Sequence, residues 1–218
     1  MIIAIDGPAG AGKSTISAGL AEALGFIRLD TGALYRAIAW AAARRGVIAK
    51  EGNELDHFLA ALSIEYQGGE VWVDGINPGV ELRTPEVSRG ASDFAACPAV
   101  RRRLLELQRT LGRAQDSILD GRDIGTVVFP DAELKIYLTA SVKARAMRRH
   151  AELSARGAAP HLEEIAAQIE ARDAQDMGRS EAPLRCAKDA VTVDASVLSV
   201  DEVIAQCIAL VQAAQRDE

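Results

Sequence analysis

The sequence predicts an α/β fold built on a parallel sheet. An apolar run at 2–5 is followed by helically spaced apolar residues at 13–24, and an apolar run at 26–29 leads into a second helical segment. Alternating strands and helices favour parallel pairing, because each helix returns the chain to the starting end of the sheet. The 218 residues and 49% hydrophobic content fit a globular protein, and we predict that residues 1–218 form a single domain.

The first two helices have recognisable ends. The first begins at Lys13 after a glycine-rich turn, and Gly25 is a natural stop because glycine readily adopts a positive φ. The second is predicted to run to about Arg45. The segment 30–32, which begins with Asp30, is predicted to cap its N-terminus.

Three later strands and a final helix complete the predicted fold. Short apolar runs indicate strands at 118–119, 134–138 and 191–193. Ser199 followed by Glu202 matches a capping box, so the last helix is predicted to begin there. Its predicted buried residues are Val203, Ile204, Ile208 and Val211.

Residues 63–83 depart from the alternation of strands and helices. Apolar and polar residues alternate with period two, and the pairs 68–69 (Gly-Gly) and 74–75 (Asp-Gly) are typical of hairpin turns. The segment is therefore predicted to form a small antiparallel insert.

Composition excludes several classes of protein. A net charge of −6 repels nucleic acid and anionic membranes, so neither is an expected partner. The longest uninterrupted apolar stretch, 37–43, is far too short to span a membrane. Three scattered cysteines and the lack of a secretory signal suit a reducing cytosol, so we expect a cytoplasmic enzyme.

The clearest motif is the glycine-rich loop at 7–14, which matches the phosphate-binding pattern G-x-x-x-x-G-K-[ST]. Its backbone N–H groups and the start of the following helix can surround a phosphate anion. Lys13 is expected to reach the β- and γ-phosphates of ATP, and Ser14 to ligate Mg²⁺. The predicted ATP-binding residues of the loop are Gly7, Pro8, Ala9, Gly10, Ala11, Gly12, Lys13, Ser14 and Thr15.

A phosphate-binding loop alone does not separate a kinase from a GTP-dependent switch or a motor. No Asn-Lys-x-Asp element follows it, and the chain is short for a motor ATPase with sensor regions. A small phosphotransferase is therefore favoured.

Further motifs resemble the bacterial cytidylate kinase family. They are IDGPAGAGKS at 5–14, LDTGALYR at 29–36, LRTPEV at 82–87 and DGRDIGTVVFPDA at 120–132, followed by Arg172, Asp176 and Arg179. The resemblance implies Mg²⁺- and ATP-dependent phosphorylation of CMP and dCMP by a monomer. It also implies a parallel-sheet P-loop kinase core with helices on both faces, a substrate-binding insert at 63–90 and a helical lid at 141–160.

The resemblance also implies the roles of individual residues. Lys13, Arg122 and Arg179 are the predicted catalytic residues, and Arg145 and Arg149 of the lid are expected to bind ATP. Ten residues are expected to bind CMP: Arg36, Arg122 and Arg179 at the phosphate, Ser92, Arg172 and Asp176 at the ribose, Thr31, Arg101 and Asp123 at the base, and Tyr35 in the same motif as Arg36.

Several alternatives stay open at this stage. Asp120 could hold Mg²⁺ through water or cap the turn at Gly121, and Asp123 could form a structural ion pair rather than contact the base. The spacing of Arg172, Asp176 and Arg179 places them on one helical face, which is also typical of surface ion pairs. The rival functions are an adenylate- or shikimate-kinase-like enzyme and a nucleotide-dependent regulatory switch.

Overall fold

The computed structural model describes residues 1–155, 157 and 160–216. Residues 156, 158 and 159 of the predicted lid segment 141–160 lie outside the described residues, as do 217 and 218 of the predicted domain. The described residues form two compact units, one comprising those within 1–28 and 116–218 and the other comprising 29–115.

The described residues contain seven β-strands in two sheets. The strands are β1 Ile2–Asp6, β2 Ile27–Asp30, β3 Ile64–Gln67, β4 Glu70–Val73, β5 Ser117–Gly121, β6 Leu134–Thr139 and β7 Val191–Asp194. The main sheet has five strands in the order β2-β5-β1-β6-β7, and β3 and β4 form a separate two-stranded sheet. Strand β1 pairs in parallel with both β5 and β6, and β6 pairs in parallel with β7. The parallel sheet predicted from the sequence is confirmed.

Eight α-helices lie in the described residues, and the first, second and last of them are the ones predicted from the alternation and the capping box. They are α1 Lys13–Leu24, α2 Thr31–Arg45, α3 Asn53–Ala61, α4 Pro85–Ala95, α5 Pro98–Arg113, α6 Val142–Ala155, α7 Leu162–Met177 and α8 Val200–Ala214, with a 3₁₀ turn at Gly79–Arg83 and a π-helical turn at Ile124–Val128. Gly25 ends α1 in the left-handed conformation, and the Asp30 side chain caps α2 by accepting from the Ala33 amide. None of the helices in the described ranges is both long and apolar enough to cross a membrane.

The unit of 1–28 and 116–218 has a core between its sheet and helices α1 and α8. It includes Ile3, Leu20 and Ile118. The capping box at Ser199 and Glu202 is confirmed, but α8 buries Cys207 together with Val203 and Val211, whereas Ile204 and Ile208 are only partly buried. Positions 203, 207 and 211 form one stripe of the helix, and the two isoleucines flank it.

Strand β2 begins one residue later than predicted. The Phe26 amide donates to the Ala21 carbonyl at the end of α1, so that amide belongs to the end of the helix rather than to the sheet. Ile27 is the first residue of the strand.

The unit of 29–115 contains the predicted hairpin. Strands β3 and β4 are antiparallel and are joined by Gly68 and Gly69, both with positive φ, as a tight hairpin turn requires. Within the predicted insert, β structure extends only over 64–76. It ends at an antiparallel bridge between Val73 and Ile76, and the 3₁₀ turn and α4 follow. The core of this unit lies around α2, with Leu34, Ile38 and Leu104 fully buried.

Candidate active site

The phosphate-binding loop lies between β1 and α1, as predicted. Its three glycines, Gly7, Gly10 and Gly12, have φ values of 152°, 74° and 96°, which other residues rarely adopt. A side chain at Gly7 would also place its Cβ 1.9 Å from the Leu138 carbonyl oxygen. The glycine spacing is therefore required by the loop path as well as by access of an anion to the backbone.

Lys13 is held by the loop itself. Its buried ammonium donates to the carbonyl oxygens of Gly7 at 2.7 Å and Pro8 at 2.8 Å. Burial lowers the pKa of Lys13 well below its ordinary value, and the positive charge of Arg122 adds to this effect, while the nearby carboxylates of Asp120 and Asp6 oppose it. The lysine is thus fixed at the loop by two neutral carbonyl acceptors.

Asp120, at the carboxyl end of β5, lies beside the start of α1. Its carboxylate accepts from Ser14 Oγ at 3.1 Å and from Ser17 Oγ at 2.7 Å, and it pairs with Arg28 at 3.0 Å. A hydroxyl and a carboxylate at hydrogen-bond distance supply the oxygen ligands that Mg²⁺ prefers. Ser14 and Asp120 therefore fit the predicted metal site.

Asp6 is a buried carboxylate that the sequence reasoning did not single out. Its two oxygens accept from the amides of Ile124 and Gly125 at 2.8 and 2.7 Å, at the start of the π-helical turn. Asp6 thereby joins the strand before the phosphate-binding loop to the segment that carries Arg122 and Asp123. Burial raises the pKa of Asp6 to about 6, although both amide hydrogen bonds favour the ionised form.

Arg122 and Arg179 share one buried carboxylate, that of Asp176. Arg122 Nε donates to Asp176 Oδ2 at 2.7 Å, and Arg179 donates to Oδ1. Burial acts to raise the pKa of Asp176, but the two guanidinium groups outweigh it and hold that pKa below its usual value. The carboxylate is ionised at neutral pH, and it orients both predicted phosphate-binding arginines.

The predicted helical face of 172, 176 and 179 needs one correction. Helix α7 ends at Met177, so Arg179 lies beyond the helix, after Gly178. Asp176 is 1% exposed, which excludes a surface ion-pair ladder for it. Arg172 is half-buried on α7 and is one of the cations that lower the pKa of Asp176.

The two arginines expected to bind ATP from the predicted lid lie in different environments. Arg145 is buried and donates to the carbonyl of Ala9 in the phosphate-binding loop at 2.9 Å. Arg149 is 41% exposed and pairs with Glu152 at 3.1 Å. Asp173, which binds Arg145 at 2.6 Å, is a further residue that sequence reasoning missed.

Asp123 is buried at the start of the π-helical turn, and its carbonyl accepts from the amides of Val127 and Val128. Its charge adds to the effect of burial in raising the pKa of Asp6. The side chain thus lies among the buried polar groups of the loop that it shares with Arg122.

Five predicted CMP-binding residues belong to the unit of 29–115. Thr31 is buried in the first turn of α2, and Arg36 on the same helix pairs with Asp30 at 2.8 Å. The buried Arg101 guanidinium lies 5.7 Å from the centre of the Tyr35 ring, within cation–π range. Ser92, buried on α4, donates to the Ser88 carbonyl at 3.5 Å.

The loop between a parallel strand and a helix, with its fixed lysine and adjoining serine and aspartate, defines this protein as a P-loop nucleotide-binding protein. The sequence model of the cytidylate kinase family matches residues 3–213, and the chain belongs to that family. The resemblance drawn from the motifs is confirmed.

Individual relatives agree with this assignment. The chain is 44% identical to a cytidylate kinase of Syntrophotalea carbinolica over 220 residues, covering 99% of this chain and 94% of the relative. It is 48% identical to a bifunctional pantoate ligase/cytidylate kinase of Synechococcus sp. (strain JA-2-3B'a(2-13)), covering 93% of this chain. The chain spans only 39% of that bifunctional relative.

Among solved structures, an uncharacterized protein from Eubacterium ventriosum ATCC 27560 has a similar fold. The TM-score is 0.53 at 12% identity, and the match covers 95% of this chain and 96% of the other. At this level of identity the likeness concerns the fold alone.

The raised pKa of Asp6 makes a contribution to stability that depends on pH. The folded protein holds this proton up to about pH 6, whereas the unfolded chain releases it near 3.8. The contribution of Asp6 is therefore greatest below pH 4 and is lost as the pH rises through 6.

We predict that Asp6→Asn removes this dependence. As the pH rises from 4 to 7 in the absence of nucleotide, the unfolding free energy of the wild type should fall relative to that of the variant by up to about 3 kcal/mol. Urea titrations at several pH values measure it. A difference that does not change with pH would contradict the assignment.

Proposed function

We propose that the protein transfers the γ-phosphoryl group of ATP to CMP and dCMP. The observation that carries the proposal is the sharing of Asp176 by Arg122 and Arg179 in the same unit as the Lys13 loop. Two oriented guanidinium groups can bind the phosphate of an acceptor in addition to the phosphates of the donor. Family membership supports a nucleoside monophosphate as that acceptor.

The acceptor is already an anion, so no general base is needed. An oxygen of the CMP phosphate forms a bond to the γ-phosphorus of ATP, the bond to the β,γ-bridging oxygen breaks, and ADP leaves. The obstacle is repulsion between two polyanions, and fixed positive charge lowers it. In our proposal Lys13 stabilises the transferred group, while Arg122 and Arg179 hold the acceptor phosphate.

Ser14 and Asp120 are the residues that would hold Mg²⁺, Ser14 directly and Asp120 through water. The ion would supply charge neutralisation at the β- and γ-phosphates. Arg28 and Ser17 fix the Asp120 carboxylate, which keeps an acceptor in place for metal-bound water. Arg145 and Arg149 are proposed to contribute positive charge on the ATP side.

The remaining residues are assigned to the nucleoside and its phosphate. Arg36 adds a third guanidinium for the CMP phosphate, and Ser92, Arg172 and Asp176 bind the ribose. Cytosine presents an amino donor at C4 and acceptors at N3 and O2, which suits the acceptor oxygens of Asp123 and Thr31 and the donors of Arg101. Tyr35 supports Arg101 through its ring.

Lys13→Ala is expected to reduce kcat at least about a hundredfold, because the transferred group loses its loop-borne cation. A coupled ADP-release assay with CMP, UMP, AMP and shikimate measures this and tests the proposed function at once. Lys50→Ala, which removes an exposed lysine, is the control. Retention of wild-type kcat would refute the role of Lys13, and turnover of AMP or shikimate without CMP would refute the function.

Arg179→Met is expected to lower kcat/KM for CMP about a hundredfold, with a much smaller change in ATP affinity. Asp176 keeps Arg122 as its partner in this variant, so the buried carboxylate stays paired. Steady-state kinetics with each substrate varied in turn give both values, and Arg185→Met at an exposed site is the control. Equal damage on both sides would show that Arg179 bridges donor and acceptor.

Asp123→Ala is expected to lower kcat/KM for CMP far more than for UMP. If Asp123 faces the C4 carbonyl of uracil, two acceptors are in contact, so removing Asp123 should narrow the ratio of kcat/KM for CMP to that for UMP about tenfold to a hundredfold. UMP serves as the internal control in the same assay. Equal losses for both substrates, in a variant with a wild-type melting temperature, would show that Asp123 does not contact the base.

A further inference from the structure

The peptide groups of Ala9 are held by two side chains outside the phosphate-binding loop. The Ala9 amide donates to Asp173 Oδ1 at 3.2 Å, and the Ala9 carbonyl accepts from Arg145 Nη1 at 2.9 Å. The same Nη1 binds Asp173 Oδ2 at 2.6 Å, which closes a ring of hydrogen bonds. We call these three residues the Ala9 clasp.

The clasp is rigid because both side chains are buried and anchored. Arg145 is 4% exposed and Asp173 is 8% exposed. Arg145 Nε also donates to the Ala140 carbonyl at 2.9 Å, which fixes its side chain from the strand side. A buried charge pair with its hydrogen bonds satisfied holds one geometry, and removal of one partner leaves the other uncompensated.

The clasp holds the loop at Ala9, immediately before Gly10. Gly10 and Gly12, which follow Ala9, have positive φ values, so this part of the chain has many conformations to lose on binding. Gly10 also faces the stem of Arg145, since a Cβ at that position would lie 3.5 Å from the Arg145 Cβ. A fixed Ala9 therefore limits the directions in which the following amides can point.

We propose that Asp173 is a positioning residue of the donor site, which with Arg145 holds the Ala9 peptide groups so that the loop is preorganised for the phosphates of ATP. This inference rests on the proposed function for the identity of the donor. Preorganisation strengthens binding by removing the ordering cost from the binding step.

Helix α7 gives the clasp a wider consequence. Asp173 lies one turn before Asp176, the carboxylate that orients Arg122 and Arg179. Helix α7 thus fixes the donor loop through Asp173, and through Asp176 it fixes the two arginines proposed to bind the acceptor. Mutation of one aspartate at a time separates the two effects.

The test compares Asp173→Ala and Asp173→Asn with Glu170→Gln, an exposed carboxylate on the same helix. Calorimetry with a non-hydrolysable ATP analogue should show affinity reduced about tenfold to a hundredfold in the alanine variant. The reduction should be smaller in the asparagine variant, whose side-chain oxygen can still accept from Ala9. Amide exchange of Ala9, followed by NMR, should accelerate, whereas the KM for CMP should stay within about twofold of wild type.

Unchanged analogue affinity and unchanged Ala9 exchange in the folded asparagine variant would overturn the proposal, as would an equal rise in the KM values for ATP and CMP.

The double variant Arg145→Gln/Asp173→Asn provides an independent check. Its loss of binding free energy for the analogue should be smaller than the sum of the losses in Arg145→Gln and Asp173→Asn, because both side chains act on Ala9, and additive losses would overturn the proposal. Analogue binding needs no acceptor, so a wild type that fails to phosphorylate CMP would refute the proposed function alone.

Discussion

The pairing of buried carboxylates with cations is the interaction on which the site depends. Transfer of a phosphoryl group between anions needs positive charge in fixed positions, but a long cationic side chain left in water is mobile. Asp176 fixes Arg122 and Arg179, and Asp173 fixes Arg145. Each carboxylate is buried, so it holds its partner in a low-dielectric environment where an unpaired charge of either sign would be costly.

The parallel sheet explains why these groups share one unit. Asp6 at the end of β1 is in register with Gly121 at the end of β5, and Ile5 is in register with Asp120. The loops that follow parallel strands leave from the same edge of the sheet, which is where α/β proteins bind their ligands. The phosphate-binding loop and the Arg122 segment therefore start side by side, and the hydrogen bonds that the amides of Ile124 and Gly125 donate to Asp6 hold them there.

Local signals made part of this structure predictable. The glycine loop, the bounds of α1 and the capping box of α8 each depend on residues a few positions apart, so propensity and spacing determine them. The partners of Asp6, Asp173 and Asp176 lie 28 to 164 residues away in sequence, apart from Arg179, and tertiary packing selects them. Phe26 shows the same limit on a small scale, since its apolar character suits a strand but its amide completes a helix end.

The state of Lys13 links the fold to binding of the donor. Its ammonium is held by two loop carbonyls, so the buried cation has acceptors before any phosphate arrives. Burial nevertheless lowers its pKa, whereas a bound triphosphate would add negative charge and raise it. By linkage, the charged lysine and the phosphates would stabilise each other. When the ammonium donates to a phosphate oxygen instead of a loop carbonyl, an ionised acceptor replaces a neutral one. The positive charge of Lys13 is thus favoured most when the group to be transferred is present.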